Sequence, residues 1–242
     1  MPSKKKISPI DLISTELKSK ASRSRSSILQ RFFKTAPGQY GAGDVFLGLT
    51  VPLQRQIAKQ YADLDRPALQ SLLNSKFHEF RLVALLIMVF QYEGAKERED
   101  KKSIVDFYLR NTNRINNWDL VDLSVYKILG DFLCLTGETG RLDRLAASRN
   151  LWERRMAMVA TYAFIKAGRS AETFWIAKKL LKDKEDLIHK AVGWMLRETG
   201  KRVSEAELKR FLDRHYRAMP RTALRYAIER LEPRTRERYL AR

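Results

Sequence analysis

The chain has 242 residues, and 44% are hydrophobic, which is enough to bury a substantial core and too much for a disordered chain. Its 47 Lys and Arg against 28 Asp and Glu leave a formal net charge of +19, so the natural partners are polyanions. Glycine (11) and proline (7) are too scarce for a turn-rich β fold, and no apolar run approaches the roughly 18–20 residues that cross a bilayer. Residues 1–27 read as a basic, serine-rich arm, partly helical or mobile. Its start, "MPSKKKISPI", has no apolar stretch behind the lysines and is not a secretory signal. A helix over "SPIDLISTEL" would take Ser8 as its N-cap. "SILQRFFK" reads as the next helix, and "TAPGQYGAGD" as a glycine-rich loop that stops it. Gly38, Gly41, Gly43 and Gly48 are not followed by the Gly-Lys-Ser/Thr of a P-loop. No strand precedes Gly41 and Gly43, as a dinucleotide site requires, so the loop reads as a connection between helices.

From residue 52 onward apolar residues recur at three- and four-residue spacing in segment after segment, with Gly, Asp and Pro at the breaks. Helix starts at His78, Trp118, Trp152, Leu187 and Thr222 are spaced by 40, 34, 35 and 35 residues, with one further helix in each interval. That period belongs to stacked helix pairs of the HEAT or armadillo type, in which no pair can bury its own apolar face alone. The expected fold is all-α: a right-handed-type solenoid of antiparallel helix pairs over residues 28–242, one domain with a concave basic face. Three residues after each start stand Arg81, Val121, Arg155, Lys190 and Arg225. Four basic residues at one repeat position could line a phosphate track. Ordinary solvated charge explains them equally well in so basic a chain.

The single cysteine, Cys134, lies in an apolar run and reads as core; a lone cysteine fits a reducing compartment. His78, His189 and His215 lack any companion at metal-ligand spacing, and read as helix-surface or DNA-facing residues. Trp152 reads as core. Gly193, in the middle of "HKAVGWMLRE", costs a helix about 1 kcal/mol relative to alanine. It implies the close approach of a ligand or of another backbone, and tight helix packing alone is sufficient.

The segment "NNWDLVDLS" at residues 116–124 holds two acids in a basic chain. With Asn117 as N-cap, Asp119 falls at the second helical position, where the free N–H groups and the helix dipole favour a carboxylate. Asp122 is one turn further in and shares a face with Trp118. A carboxylate beside an indole can stabilise a developing cation, but acids on helix surfaces are far commoner than catalytic ones. The spacing alone leaves both readings open.

"NNWDLVDLS", "LWERRMAMV", "DLIHKAVGWMLRE" and the earlier "FLGLTVPLQRQIAK" occur in this order, and together they resemble the AlkD-type DNA alkylation repair glycosylases, from about Phe32 to Leu231. The resemblance implies that the family's catalytic aspartate falls on Asp122, the tryptophan one turn earlier on Trp118, and a second lesion-facing tryptophan on Trp194. It places the family's DNA-contacting arginines on Arg155 and Arg197. Asn117 stands where the family's Trp-Trp-Asp can begin with tryptophan. The implied activity is that of a monofunctional glycosylase, acting on duplex DNA with N3- or N7-alkylated purines and having no deep base-flipping pocket. Arg81, Lys190 and Arg225 would join Arg155 and Arg197 on the phosphates. The resemblance implies no cofactor, no metal and no membrane partner, and a monomer in the cytoplasm, associated with the nucleoid in a prokaryote. The competing expectation is a non-catalytic helical-repeat protein that binds damaged or structured DNA. An acid on an anion-binding face opposes binding, so Asp122 favours catalysis.

Overall fold

A computed structural model describes residues 8–241. The regular elements among the described residues are helices, joined by turns and loops, with one isolated bridge between Val45 and Phe77. They divide into two compact units, one ending at Leu120 and the other beginning at Val121. The first unit holds α1 (Pro9–Ser19), α2 (Arg23–Phe32), α3 (Val51–Gln60), α4 (Arg66–Leu73), α5 (His78–Gly94) and α6 (Arg98–Arg110). The chain passes from one unit to the other within α7 (Trp118–Val125), which runs on through a π turn (Tyr126–Gly130) into α8 (Asp131–Thr136). The second unit continues with α9 (Gly140–Ala146), α10 (Leu151–Ala160), α11 (Tyr162–Lys166) and α12 (Ala171–Leu180). It ends with α13 (Asp186–Arg202), α14 (Glu205–His215), α15 (Arg221–Ala227) and α16 (Pro233–Leu240). None of these helices is long and apolar enough to cross a membrane.

Local chemistry sets the first helix. The Ser8 hydroxyl accepts the Asp11 N–H at 3.2 Å, and Pro9 opens the first turn, where its missing N–H is no loss. Ile13 and Leu17, one turn apart, are fully buried, and α1 packs on α4. Within the segment expected as an arm, α1 thus contributes Ile13 and Leu17 to the first unit's core, while α2 buries no side chain; the "MPSKKKI" that precedes α1 lies outside the described residues. α5 packs on α3, α4 and α6, and its apolar run from Leu82 to Val89 is buried all round.

The second unit carries the repeat. α9 packs on α10 and α12 on α13, and the second helices follow one another as α10 on α13 and α13 on α15. Helices begin at His78, Trp118, Leu151, Asp186 and Arg221, within one residue of the starts read from the sequence. Gly193 is the contact point of α13 with α15. A Cβ there would run into the Ala223 carbonyl and the Tyr226 Cβ, so its close approach is to a neighbouring backbone. Gly130 in the π turn meets the Ala160 carbonyl of α10 in the same way. Gly193→Ala gains about 1 kcal/mol of helix propensity, but it overpacks a backbone contact. We expect a net loss of about 1–2 kcal/mol, read from the urea midpoint. An unchanged or raised midpoint would mean that α15 moves aside without cost.

Candidate active site

The start of α7 is anchored by buried charge. The Asn117 side-chain carbonyl accepts the Trp118 N–H at 2.9 Å, and its amide donates to Asp44 at 3.3 Å. Asp44, from the glycine-rich loop, also accepts from Arg81 at 2.6 Å and from the Nδ1 of His78 at 3.0 Å. The other ring nitrogen of His78, Nε2, donates to Asp119 at 2.8 Å. Burial works against the imidazolium, but the charge of Asp119 and the hydrogen bonds of the two carboxylates outweigh it and raise the His78 pKa to about 9. Burial likewise pushes Asp44 up, and the His78 hydrogen bond with the Arg81 charge overcomes it, leaving Asp44 below the ordinary carboxylate value. One expectation is corrected here. His78 is 1% exposed, so it is a charged core residue and not a surface or DNA-facing one. Arg81, expected on the phosphates, is also buried, with its guanidinium held by Asp44 and by the Ser75 carbonyl.

The glycine-rich loop does cradle an anion, but that anion belongs to the protein. The buried Glu79 carboxylate accepts the N–H groups of Leu47, Gly48 and Leu49 at 2.8–3.2 Å. Gly48 adopts φ +89° and lies so close to the backbone of α2 at Ser22 that only glycine fits. This seats the loop on the first turn of α5 and delivers Asp44 to His78. Phe46 of the same loop stacks on the His78 ring at 4.4 Å, Phe33 stacks on Phe46 at 4.9 Å, and Trp118 stacks on Phe33 at 5.0 Å. Phe32, 61% exposed, meets Trp118 edge-on at 5.9 Å. Trp118 is thus half-buried, one end of a file of aromatic rings that begins at the ionised histidine.

Asp122 lies one turn further along α7, in the second unit, and is also half-buried. Arg155 of α10 grips it with both arms of the guanidinium, Nε to one oxygen at 2.9 Å and Nη2 to the other at 2.7 Å. Its third nitrogen donates to the Leu187 carbonyl at the start of α13. Arg155, expected on the phosphates, is 5% exposed, and its hydrogen bonds run to Asp122 and to a backbone carbonyl. The repeat register therefore has two kinds of basic residue. Arg81 and Arg155 pair inward with acids, whereas Lys190 (paired with Asp186 at 2.8 Å) and Arg225 lie at or near the surface. Arg197 is half-buried, between Glu198 at 3.3 Å and Glu229.

Trp194 of α13 is half-buried, with Tyr162 at 6.3 Å between ring centroids. Tyr162 in turn takes Tyr126 edge-on at 5.2 Å. Trp152 is core, as expected, while Cys134 is only half-buried. Sequence reasoning missed Asp44 and the charged role of His78. An acid in a glycine loop and a histidine at a helix start, 34 residues apart, match no local pattern that could have flagged them.

The family model of the DNA alkylation repair enzymes matches residues 13–231 of the chain. A solved structure described as a predicted DNA alkylation repair enzyme from Enterococcus faecalis is similar in fold. It has a TM-score of 0.67 and 16% sequence identity, over 88% of this chain and 97% of that one. No curated protein matches the chain.

Proposed function

Because the chain belongs to the DNA alkylation repair enzyme family, we propose that it removes cationic N3- or N7-alkylated purines from duplex DNA by hydrolysing the N-glycosidic bond. Alkylation gives the base a positive charge and makes it a good leaving group, so no general acid is needed. As the bond breaks, oxocarbenium character builds on the deoxyribose. Asp122 stabilises that charge and positions the attacking water, the part a carboxylate plays in glycoside hydrolysis. Trp118 and Trp194 offer electron-rich faces to the same cation. Lys190, Arg197 and Arg225 hold phosphates, and Arg155 acts on the reaction through Asp122.

The observation that carries this reading is the Asp122–Arg155 fork. A bidentate arginine fixes both the position and the plane of a carboxylate, and Arg155 is itself immobilised by burial and by the Leu187 carbonyl. A preorganised acid of this kind loses no energy to reorientation as the sugar charge develops. The test is direct. The protein is incubated with a duplex holding one N7-methylguanine, and abasic sites are counted after strand scission with alkali. The expected result is base release well above the buffer rate, without strand cleavage before alkali is added. Binding without release from any alkylpurine duplex would leave the binding-only alternative standing.

A further inference from the structure

Arg66 opens α4, and Gln70 follows it one turn later on the same face. That face meets the end of α6. The Gln70 amide donates to the Asn111 side-chain carbonyl at 2.8 Å, and the Arg66 guanidinium lies 4.8 Å from the Phe107 ring. Arg110, the last residue of α6, approaches the same ring at 6.0 Å. Two like charges therefore share one aromatic ring in the first unit. No hydrogen bond or ion pair joins either guanidinium to a described residue. The neighbouring acids have other partners: Asp65 accepts the Ala68 N–H at 2.9 Å, and Asp106 pairs with Lys102 at 3.2 Å.

Arg66 is half-buried, and its Nη1 is shut off from solvent without a hydrogen-bond partner. Burial and, after it, the charge of Arg110 push its pKa below the ordinary arginine value. Both act against a guanidinium, which stays charged in a protein all the same. The Phe107 ring offsets part of this. A shielded cation is ordinarily met by an acid, as Arg81 is by Asp44 and Arg155 by Asp122. For Arg66 and Arg110 the protein's described side chains supply no such counter-charge.

We propose that Arg66 and Arg110 form a binding site for a phosphate group. Guanidiniums present planar, paired N–H donors that suit its oxygens, and an anion between them relieves their repulsion. A phosphodiester of the DNA backbone and a free phosphate share this chemistry. The site uses neither Asp122 nor the two tryptophans, and it does not depend on the glycosylase reading.

The variant Arg66→Met removes one guanidinium and keeps an apolar side chain against Phe107. In chloride its urea midpoint should be at or above the wild-type value, because a shielded charge beside a second one is gone. When inorganic phosphate replaces chloride at constant ionic strength, both proteins gain from the general exclusion of that salt from protein surfaces. The wild type should gain more, and the excess should grow with phosphate concentration. The second arm is the salt dependence of binding to an unmodified duplex, where loss of one phosphate contact should reduce the slope by about 0.9. An excess gain in phosphate with an unchanged slope assigns the site to free phosphate, and a reduced slope assigns it to the DNA backbone. Equal gains together with equal slopes overturn the proposal. So does a variant midpoint well below the wild type in chloride, which would make Arg66 a packing residue. None of these readouts uses base release, so their failure leaves the glycosylase reading standing.

Discussion

Asp122→Asn should lower the rate of N7-methylguanine release by about two to three orders of magnitude, the range seen when one preorganised electrostatic group is removed from a charge-developing transition state. Asparagine keeps the shape and can still accept from Arg155 through its oxygen, but it has no charge to set against the sugar cation. Its amide nitrogen also replaces one of the two acceptors of the fork, at 2.9 and 2.7 Å. A buried guanidinium left without its carboxylate costs several kcal/mol, so release must be measured well below the variant's own melting temperature. The informative comparison is Arg155→Met. It leaves Asp122 charged but unheld, and release should fall by less than in Asp122→Asn, while binding of unmodified duplex stays close to that of the wild type. Equal release by wild type and Asp122→Asn would remove Asp122 from the chemistry. A large loss of binding in Arg155→Met would return Arg155 to the phosphates.

The second large effect is on stability and concerns the buried charges at the start of α7. His78 has a folded pKa of about 9 against an ordinary 6.5, so the native state holds a proton that the unfolded chain gives up. Its contribution is fully present below pH 6.5 and is lost as pH rises through about 9. A shift of this size corresponds to roughly 3 kcal/mol. The wild-type urea midpoint should therefore fall steeply across that window. In His78→Leu the carboxylates of Asp44 and Asp119 are left without the imidazolium, which costs about 3–5 kcal/mol. Its midpoint should be low from the outset and nearly flat over the same range. A flat wild-type profile would show that the imidazole is neutral in the fold. Because Phe46 and Phe33 carry the stack from His78 to Trp118, the alkaline loss should also appear in tryptophan fluorescence.

The local features of this protein were legible in its sequence. Helix periodicity needs only neighbours three and four apart, so the helices and their repeat could be read to within a residue at five starts. The Ser8 cap is equally local, since its partner is three residues away. Trp118 and Asp122 could be singled out because a turn of helix puts them on one face, whichever fold contains it. The partners of these residues could not be read. Asp122 is fixed by an arginine 33 positions on, and His78 by acids 34 positions before and 41 after. Arg81, Arg155, Lys190 and Arg225 share a register in the sequence, but two are buried in ion pairs and two are not. Whether a basic side chain meets water or a buried carboxylate depends on what packs against its helix. That is decided by contacts between helices distant in the chain, which no spacing within a single helix encodes.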